Sequence, residues 1–381
     1  MSFDFDDTPD PTGQWRFKWE RYRGRDIIPL WVADMDFRAP PPVLDILRER
    51  IEHGVFAYLD PGPELVDTLI EHLAREYGWH TQREWFMWLP GLVSGLNIVC
   101  RAVGAPGDGI VTGVPIYPPF LSAPQYADRK LLKAPLTLEN GAWRFDASAL
   151  EETIEADTRV FLLCNPHNPV GRAFTRVELA ALADVCERHD LMICADEIHC
   201  GLILDADRRH IPIATLSPAI EQRTVTLMAA SKTFNLPSLG TAFAVVANPA
   251  LRERLNAVMK GIVHRPYGLG MWATLAAYRN GEPWRRELVA YLRGNRDLVA
   301  ARVARMPGLS MTPVEATYLA WIDCRAAKLD NPKAFFEAAG VGLYDGADFG
   351  TSGWVRLNFA CSRALLEKAL TRMETALAGV A

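Results

Sequence analysis

The sequence has no surplus of positive charge: 41 basic residues stand against 46 acidic ones, a formal net charge of −5. A dedicated nucleic-acid surface calls for a clustered basic face, so that class of partner is set aside. The seven cysteines (Cys100, Cys164, Cys186, Cys194, Cys200, Cys324 and Cys361) are odd in number and contain no Cys-x-x-Cys pair. That excludes a disulfide framework and reads as reduced, buried thiols in a cytoplasmic protein. No Walker loop is present, no Gly-x-Gly-x-x-Gly follows a strand pattern, and Ser231 lies in no Gly-x-Ser-x-Gly elbow, which removes the simplest nucleotide-binding and serine-hydrolase readings. Internal repeats and low-complexity tracts are missing, and Met1–Asp7 has no basic segment before an apolar run, so no secretory signal is expected. Two windows, Gly109–Ala127 and Thr233–Leu251, lack any charge over 19 residues each, long enough to span a bilayer. Pro115, Pro118, Pro119 and Pro124 in the first, and Pro237 and Pro249 in the second, break that reading, because hydrocarbon offers no water to satisfy the disrupted backbone. Buried strand-and-loop segments are expected there instead.

What is present is ordinary globular material, 49% hydrophobic and 23% charged over 381 residues, enough for one large domain and a smaller one. Arg159–Leu163, Leu191–Ala195 and Thr224–Met228 are short apolar runs that read as buried strands. Between the first two, Thr175-Arg176-Val177-Glu178 is a capping box, followed by Leu179, Leu182, Ala183 and Cys186 at helical spacing. Apolar runs alternating with amphipathic helices imply an α/β fold with a mostly parallel central sheet covered by helices. The C-terminal part differs: a long charged helix pattern over Glu282–Arg305, strand-like Tyr318–Ile322 and Trp354–Phe359, and a closing helix with Leu366, Leu370, Met373 and Leu377 on one face. We expect an N-terminal segment (1–45) joining a small α+β domain, a large domain over 46–280 and a C-terminal small domain over 281–381.

In open α/β sheets, ligands bind beyond the carboxyl ends of the strands. After the three strand patterns come Asn165-Pro166-His167-Asn168-Pro169-Val170-Gly171, Asp196-Glu197-Ile198-His199 and Ser231-Lys232-Thr233-Phe234-Asn235. Three neighbouring strand ends would thus deliver an Asn, an Asp and a Lys to one crevice. Asp196, Glu197, His199 and His210 could suggest a metal site, but no second pair at ligand spacing accompanies them, and a hydrogen-bonded structural histidine is the favoured reading, with no metal expected.

These three motifs resemble the pyridoxal-phosphate enzymes of fold type I. Trp31-Val32-Ala33-Asp34-Met35-Asp36-Phe37, His53-Gly54-Val55-Phe56-Ala57-Tyr58, Pro115-Ile116-Tyr117 and Arg356-Leu357-Asn358-Phe359 narrow the resemblance to the MalY/PatB-type C–S lyases, the cystathionine β-lyases, over nearly the whole chain. The resemblance implies pyridoxal 5'-phosphate as cofactor and Lys232 as the amine that captures its aldehyde and later moves the substrate Cα proton. A lysine in apolar surroundings suits that role because desolvation frees the amine; the competing reading is a snorkelling surface lysine. Asp196 would keep the pyridine nitrogen protonated, or serve only as a cap. Asn168 would bond the ring hydroxyl and Tyr117 stack on the ring, although Asn168 is equally a turn residue before Pro169 and Tyr117 equally a core aromatic. The amides of Leu92 and Val93, where Gly91 opens a helical stretch, and the Ser231 hydroxyl would receive the phosphate, with Tyr58 reaching it from a partner subunit in a homodimer with shared active sites. Arg356 would fork onto the substrate α-carboxylate, with the Ala33 amide beside it; a surface salt bridge is the alternative for Arg356.

One departure stands out. Many members of this superfamily carry an arginine eight residues beyond the lysine, paired with the phosphate; here that position is Gly240, and Ser238 stands where glycine is usual. The implied activity is β-elimination from L-cystathionine or related cysteine thioethers. An aminotransferase uses the same residues and is the alternative, and a regulatory protein on the same fold is a third reading. No DNA-reading helix or basic extension is expected, and a small-molecule amino acid is the partner expected.

Overall fold

The computed structural model describes residues 3–11, 13–264 and 266–379; the outermost ends of the expected terminal segments, including Met1 and Ser2, lie outside the described residues. A seven-stranded sheet forms the centre. Its strands in chain order are β1 (Phe86–Leu89), β2 (Gly109–Val114), β3 (Lys130–Pro135), β4 (Thr158–Cys164), β5 (Met192–Asp196), β6 (Thr224–Met228) and β7 (Ala242–Val245). They lie side by side as β1-β7-β6-β5-β4-β2-β3, and β7 alone runs against its neighbours. Apolar side chains alternate between the two faces. On β4, Val160, Leu162 and Cys164 enter one core and Phe161 and Leu163 the other; on β5, Cys194 faces the first and Ile193 and Ala195 the second. Both faces are covered, which is why these strands read as unbroken apolar runs.

The helices form where their ends are chemically satisfied. Helix α1 (Arg176–Arg188) starts on the expected capping box: Thr175 Oγ1 accepts from the Glu178 amide at 3.3 Å and Glu178 accepts from the Thr175 amide at 2.7 Å. The window Gly109–Ala127 holds β2 and then a helix, Pro118–Tyr126, so strand and loop alone was too narrow an expectation. Pro118 and Pro119 occupy its first turn, where a missing amide costs nothing. Pro249 likewise opens the helix Pro249–Met259 at the end of the second window, with Asn248 as its cap. Among the described residues no helix is long and apolar enough to cross a membrane.

A second, antiparallel sheet of four strands is built from Ser310–Met311, β8 (Leu319–Asp323), Tyr344–Asp345 and β9 (Trp354–Asn358). The long helix α2 (Glu282–Val303) and the closing helix α3 (Arg363–Ala378) pack on it, burying Leu288, Leu292 and Val299 against Leu366, Leu370, Met373 and Leu377. Each such side chain removed from water contributes about 1.5–3 kcal/mol. Buried Asn295 on α2 donates to the carbonyls of Phe359 and Cys361 at 2.8 and 2.9 Å, tying that helix to the end of β9. The N-terminal segment joins this unit, with Ile28–Pro29 pairing in parallel with Val341–Gly342. The whole is an α/β fold with a smaller α+β part drawn from both ends of the chain.

Candidate active site

Register brings the three motifs together. Cys164 on β4 lies opposite Asp196 on β5, and Asp196 opposite Leu227 on β6. The three strands are parallel and adjacent, so the loops after Cys164, Asp196 and Met228 leave the same edge of the sheet. β1 runs parallel to them across β7. Its exit through Gly91 therefore opens the helix Leu92–Ala102 at that edge as well, and the start of this helix has no side-chain cap. The first amides of such a helix, among them those of Leu92 and Val93, point forward without intrahelical partners.

Lys232 is partly buried and its Nζ donates to the carbonyl of Ala33, which also accepts from Tyr318 Oη at 2.9 Å. Burial pulls the Lys232 ammonium down from 10.5 to about 8; Asp34 opposes this, Arg356 adds to it and Asp196 opposes it. Asp196 is 5% exposed, with one oxygen accepting from the Ile198 amide at 3.1 Å. Burial lifts its carboxyl from 3.8 to about 7 against the pull of that amide and of Lys232. An acid this raised has no cation in contact to hold it ionised.

Arg356 comes from β9, in register with Trp321 and Tyr344. It is 1% exposed and its guanidinium lies 5.0 Å from the Tyr344 ring and 4.8 Å from Phe349. One arm donates to Asn168 Oδ1 at 2.9 Å and the other to the Trp31 carbonyl at 2.8 Å, while Nε is buried with no partner. Burial draws this guanidinium down to about 10, against the opposing phenols of Tyr117, Tyr344 and Tyr318. The Tyr117 amide donates to the Asn168 carbonyl at 3.1 Å, so Tyr117, Asn168 and Arg356 form one connected wall. Lys232, Asp196, Asn168, Tyr117, Arg356 and Ala33 therefore meet, with Ser231 next in chain to Lys232. For Ala33 it is the carbonyl that faces Lys232. Tyr58 is not part of this cleft within one chain: it is 98% exposed, on a separate open groove of about 970 Å³.

Gly240, where an arginine is common, has φ +53°, and a Cβ there would sit 2.4 Å from the Tyr267 ring. Backbone conformation and the neighbouring ring together disfavour a larger side chain, so this position offers a phosphate no cation.

Several residues have roles here that the sequence motifs alone do not assign. Asn358 on β9 donates to the carbonyls of Val32 and Asp34 at 2.5 and 2.6 Å, and Asn235 donates to those of Met35 and Phe37 at 3.2 and 2.7 Å. These two amides fasten Trp31–Phe37 across the cleft. The same segment is pinned from behind by Asp36, which accepts from fully buried Lys18 at 2.9 Å and from Arg16 at 2.5 Å. His167 bridges the Cys164 and Pro115 carbonyls, its ring nitrogens 3.2 and 2.8 Å away. His199 is buried with Nδ1 unpartnered. Burial holds its imidazole well below 6.5, and Lys232 and Arg356 add to that, so it faces the cleft neutral. The available signal was an Asn, His or Asp inside an otherwise apolar strand end, which costs free energy unless it has a partner.

The cleft fits a pyridoxal phosphate. Asp196 lacks a cation that a protonated ring nitrogen would supply, the His199 and Arg356 nitrogens lack partners, and the uncapped helix at Leu92 offers amides to an anion.

Comparison with known proteins agrees with this geometry. The family model described as Aminotransferase class I and II matches residues 25–373. Cystathionine beta-lyase PatB of Bacillus subtilis (strain 168) is 33% identical over 98% of this chain and 99% of its own length. Among solved structures, OvoB is 45% identical with a TM-score of 0.96, covering 98% of this chain and 99% of that one. Cystalysin from Treponema denticola, whose structure contains pyridoxal 5'-phosphate, is 28% identical with a TM-score of 0.96 over all of both chains. This chain belongs to the class I and II aminotransferase family.

Proposed function

We propose that the chain is a pyridoxal-phosphate-dependent C–S β-lyase that converts L-cystathionine or a related cysteine thioether, with water, to a thiol, pyruvate and ammonia. The observation that carries the reading is Lys232, an amine drawn down to about 8 and set between Asp34, Asp196 and Arg356. The choice of C–S cleavage over amino transfer is supported by full-length likeness to PatB, named a cystathionine beta-lyase. The bound cofactor supplies an aldehyde for amine capture and a ring that takes up the electrons left on the substrate Cα.

Arg356 holds the substrate α-carboxylate, using its unpartnered Nε and a spare Nη hydrogen. Its flanking rings fix the plane of the guanidinium, and thereby the orientation of the Cα–H bond. Lys232 Nζ, released from the Ala33 carbonyl, takes the Cα proton. Asp196 holds a proton at the pyridine nitrogen, and the gain of that cationic partner returns its own carboxyl to the ionised form. Asn168 would bond the ring hydroxyl, Tyr117 would cover the ring face, and the amides of Leu92 and Val93 with the Ser231 hydroxyl would hold the phosphate. The buried walls exclude water until elimination is complete.

We read the enzyme as a cytoplasmic homodimer. Exposed Val55, Phe56, Tyr58 and Tyr267 around the open groove support the dimer, since monomers rarely leave so many apolar side chains in one place; Tyr58 would then reach the partner's phosphate. Seven buried free cysteines support a reducing compartment. The test is incubation of the holoenzyme with L-cystathionine and no oxo-acid: pyruvate and free thiol in equal amounts are expected. Turnover only when an oxo-acid is added would make it an aminotransferase.

A further inference from the structure

A cavity of about 320 Å³ lies behind the segments that carry Asp196 and Lys232, large enough for a small metabolite. Four arginines line it, Arg75, Arg208, Arg209 and Arg285, against one acid, Glu76. Three are held in place by acids: Arg75 donates to Glu76 at 2.8 Å, Arg208 lies 3.1 Å from Glu315, and Arg285 donates to Glu282 at 2.6 and 2.7 Å. With those acids counted, the excess positive charge resides on Arg209, an exposed side chain at the mouth with no salt bridge to an acid among the described residues. Each held guanidinium keeps N–H groups to spare, because it carries five. On the inner wall, His210 is fixed by Glu197, its Nε2 2.7 Å from the carboxylate. Guanidinium donors brought from separate elements to one space, one of them without an acid, are what a small anion needs.

We propose that this cavity is a second small-molecule site, for a dianion of the phosphate or dicarboxylate class, whose occupancy is felt at Lys232. The route is short. Arg285 Nη1 donates to the Gly201 carbonyl at 2.9 Å, and Gly201 packs so closely on Thr233 that a Cβ there would lie 2.6 Å from Thr233 Oγ1. Thr233 follows Lys232 in the chain. An anion that draws Arg285 into the cavity shifts the Gly201 carbonyl, and with it the backbone next to Lys232; by reciprocity, the state of Lys232 changes the affinity for the anion.

The test uses holoenzyme, so that the cofactor already fills its own phosphate cradle. Calorimetric titration with inorganic phosphate and, separately, with succinate is run at constant ionic strength, with chloride as the control. One saturable site per chain is expected for at least one dianion and none for chloride, and the tighter of the two identifies the class. Arg209→Ala and Arg75→Ala should each weaken binding about tenfold with the cofactor absorbance band intact. Absence of saturable binding by either dianion, or affinity unchanged in both variants, would overturn the site. If a saturating dianion leaves kcat, KM and the pH midpoint of the cofactor band unaltered, the link to Lys232 falls.

Discussion

Deleting a negative charge beside Lys232 should make its amine more available. Burial brings that ammonium from 10.5 to about 8, and Asp34 is the foremost charge resisting the change. At about pH 7.5, a lysine of ordinary acidity is neutral in roughly one molecule in a thousand; one at about 8 is neutral in roughly a quarter, on the order of a 200-fold gain in nucleophile. Asp34→Asn preserves the size of the side chain and removes the carboxylate that favours the ammonium. A partly screened interaction on the order of 1 kcal/mol corresponds to a fall in the midpoint of roughly half to one pH unit. Arg356→Leu removes a cation that disfavours the ammonium and should raise the midpoint instead. The assay is the rate at which pyridoxal phosphate with borohydride labels the apoenzyme irreversibly, followed against pH, with Lys232→Ala subtracting all other lysines. The expected order of midpoints is Asp34→Asn, then wild type near 8, then Arg356→Leu. A wild-type midpoint near 10.5, or a rise on Asp34→Asn, would refute burial as the activating cause.

Three further outcomes are expected. Arg356→Lys keeps the charge but loses the fork held between Tyr344 and Phe349, so kcat/KM for cystathionine should fall by roughly 10- to 100-fold, chiefly through KM in steady-state pyruvate release. Asp36→Asn leaves Lys18 fully buried with only Asp34 3.5 Å away, a loss of about 3 kcal/mol read as a lower thermal midpoint. Asp36 is held below 3.8 because Lys18 and Arg16 outweigh its burial, and Lys18 above 10.5 because Asp36 and Asp34 outweigh its own. The pair's contribution is therefore present between about pH 4 and 10, vanishing as acid protonates Asp36 or as base neutralises Lys18, and the gap between variant and wild type should close at both extremes. Gly240→Arg forces a side chain into a left-handed position against Tyr267, at a cost of about 1–2 kcal/mol before the ring is displaced; thermal stability should drop with no tighter retention of the cofactor on dialysis.

Much of the fold was legible locally. The strand pattern Thr224–Met228 coincides with β6, and the capping box at Thr175–Glu178 opens α1. Burial period and end-capping are properties of a few consecutive residues, so they survive without knowledge of the rest of the chain. The helix Pro118–Tyr126 is hard to see in the sequence because proline reads as a breaker, although Pro118 and Pro119 fill the first turn, where they do no harm, and Pro124 is tolerated inside a helix of nine residues.

The sequence by itself determined that Asn168, Asp196 and Lys232 would stand at or just beyond the ends of three parallel strands, and that the windows Gly109–Ala127 and Thr233–Leu251 would carry no charge. Only the tertiary structure decided what surrounds these groups: that Arg356, from the C-terminal sheet, bonds Asn168; that Asn235 and Asn358 clamp one N-terminal segment from opposite sides; and that His199 has a bare nitrogen in the cleft. Those contacts join residues up to 326 positions apart. The reason is physical. A side chain's helix or strand preference is set by its neighbours in the chain, whereas its desolvation, its partners and hence its acidity are set by whatever the fold packs against it.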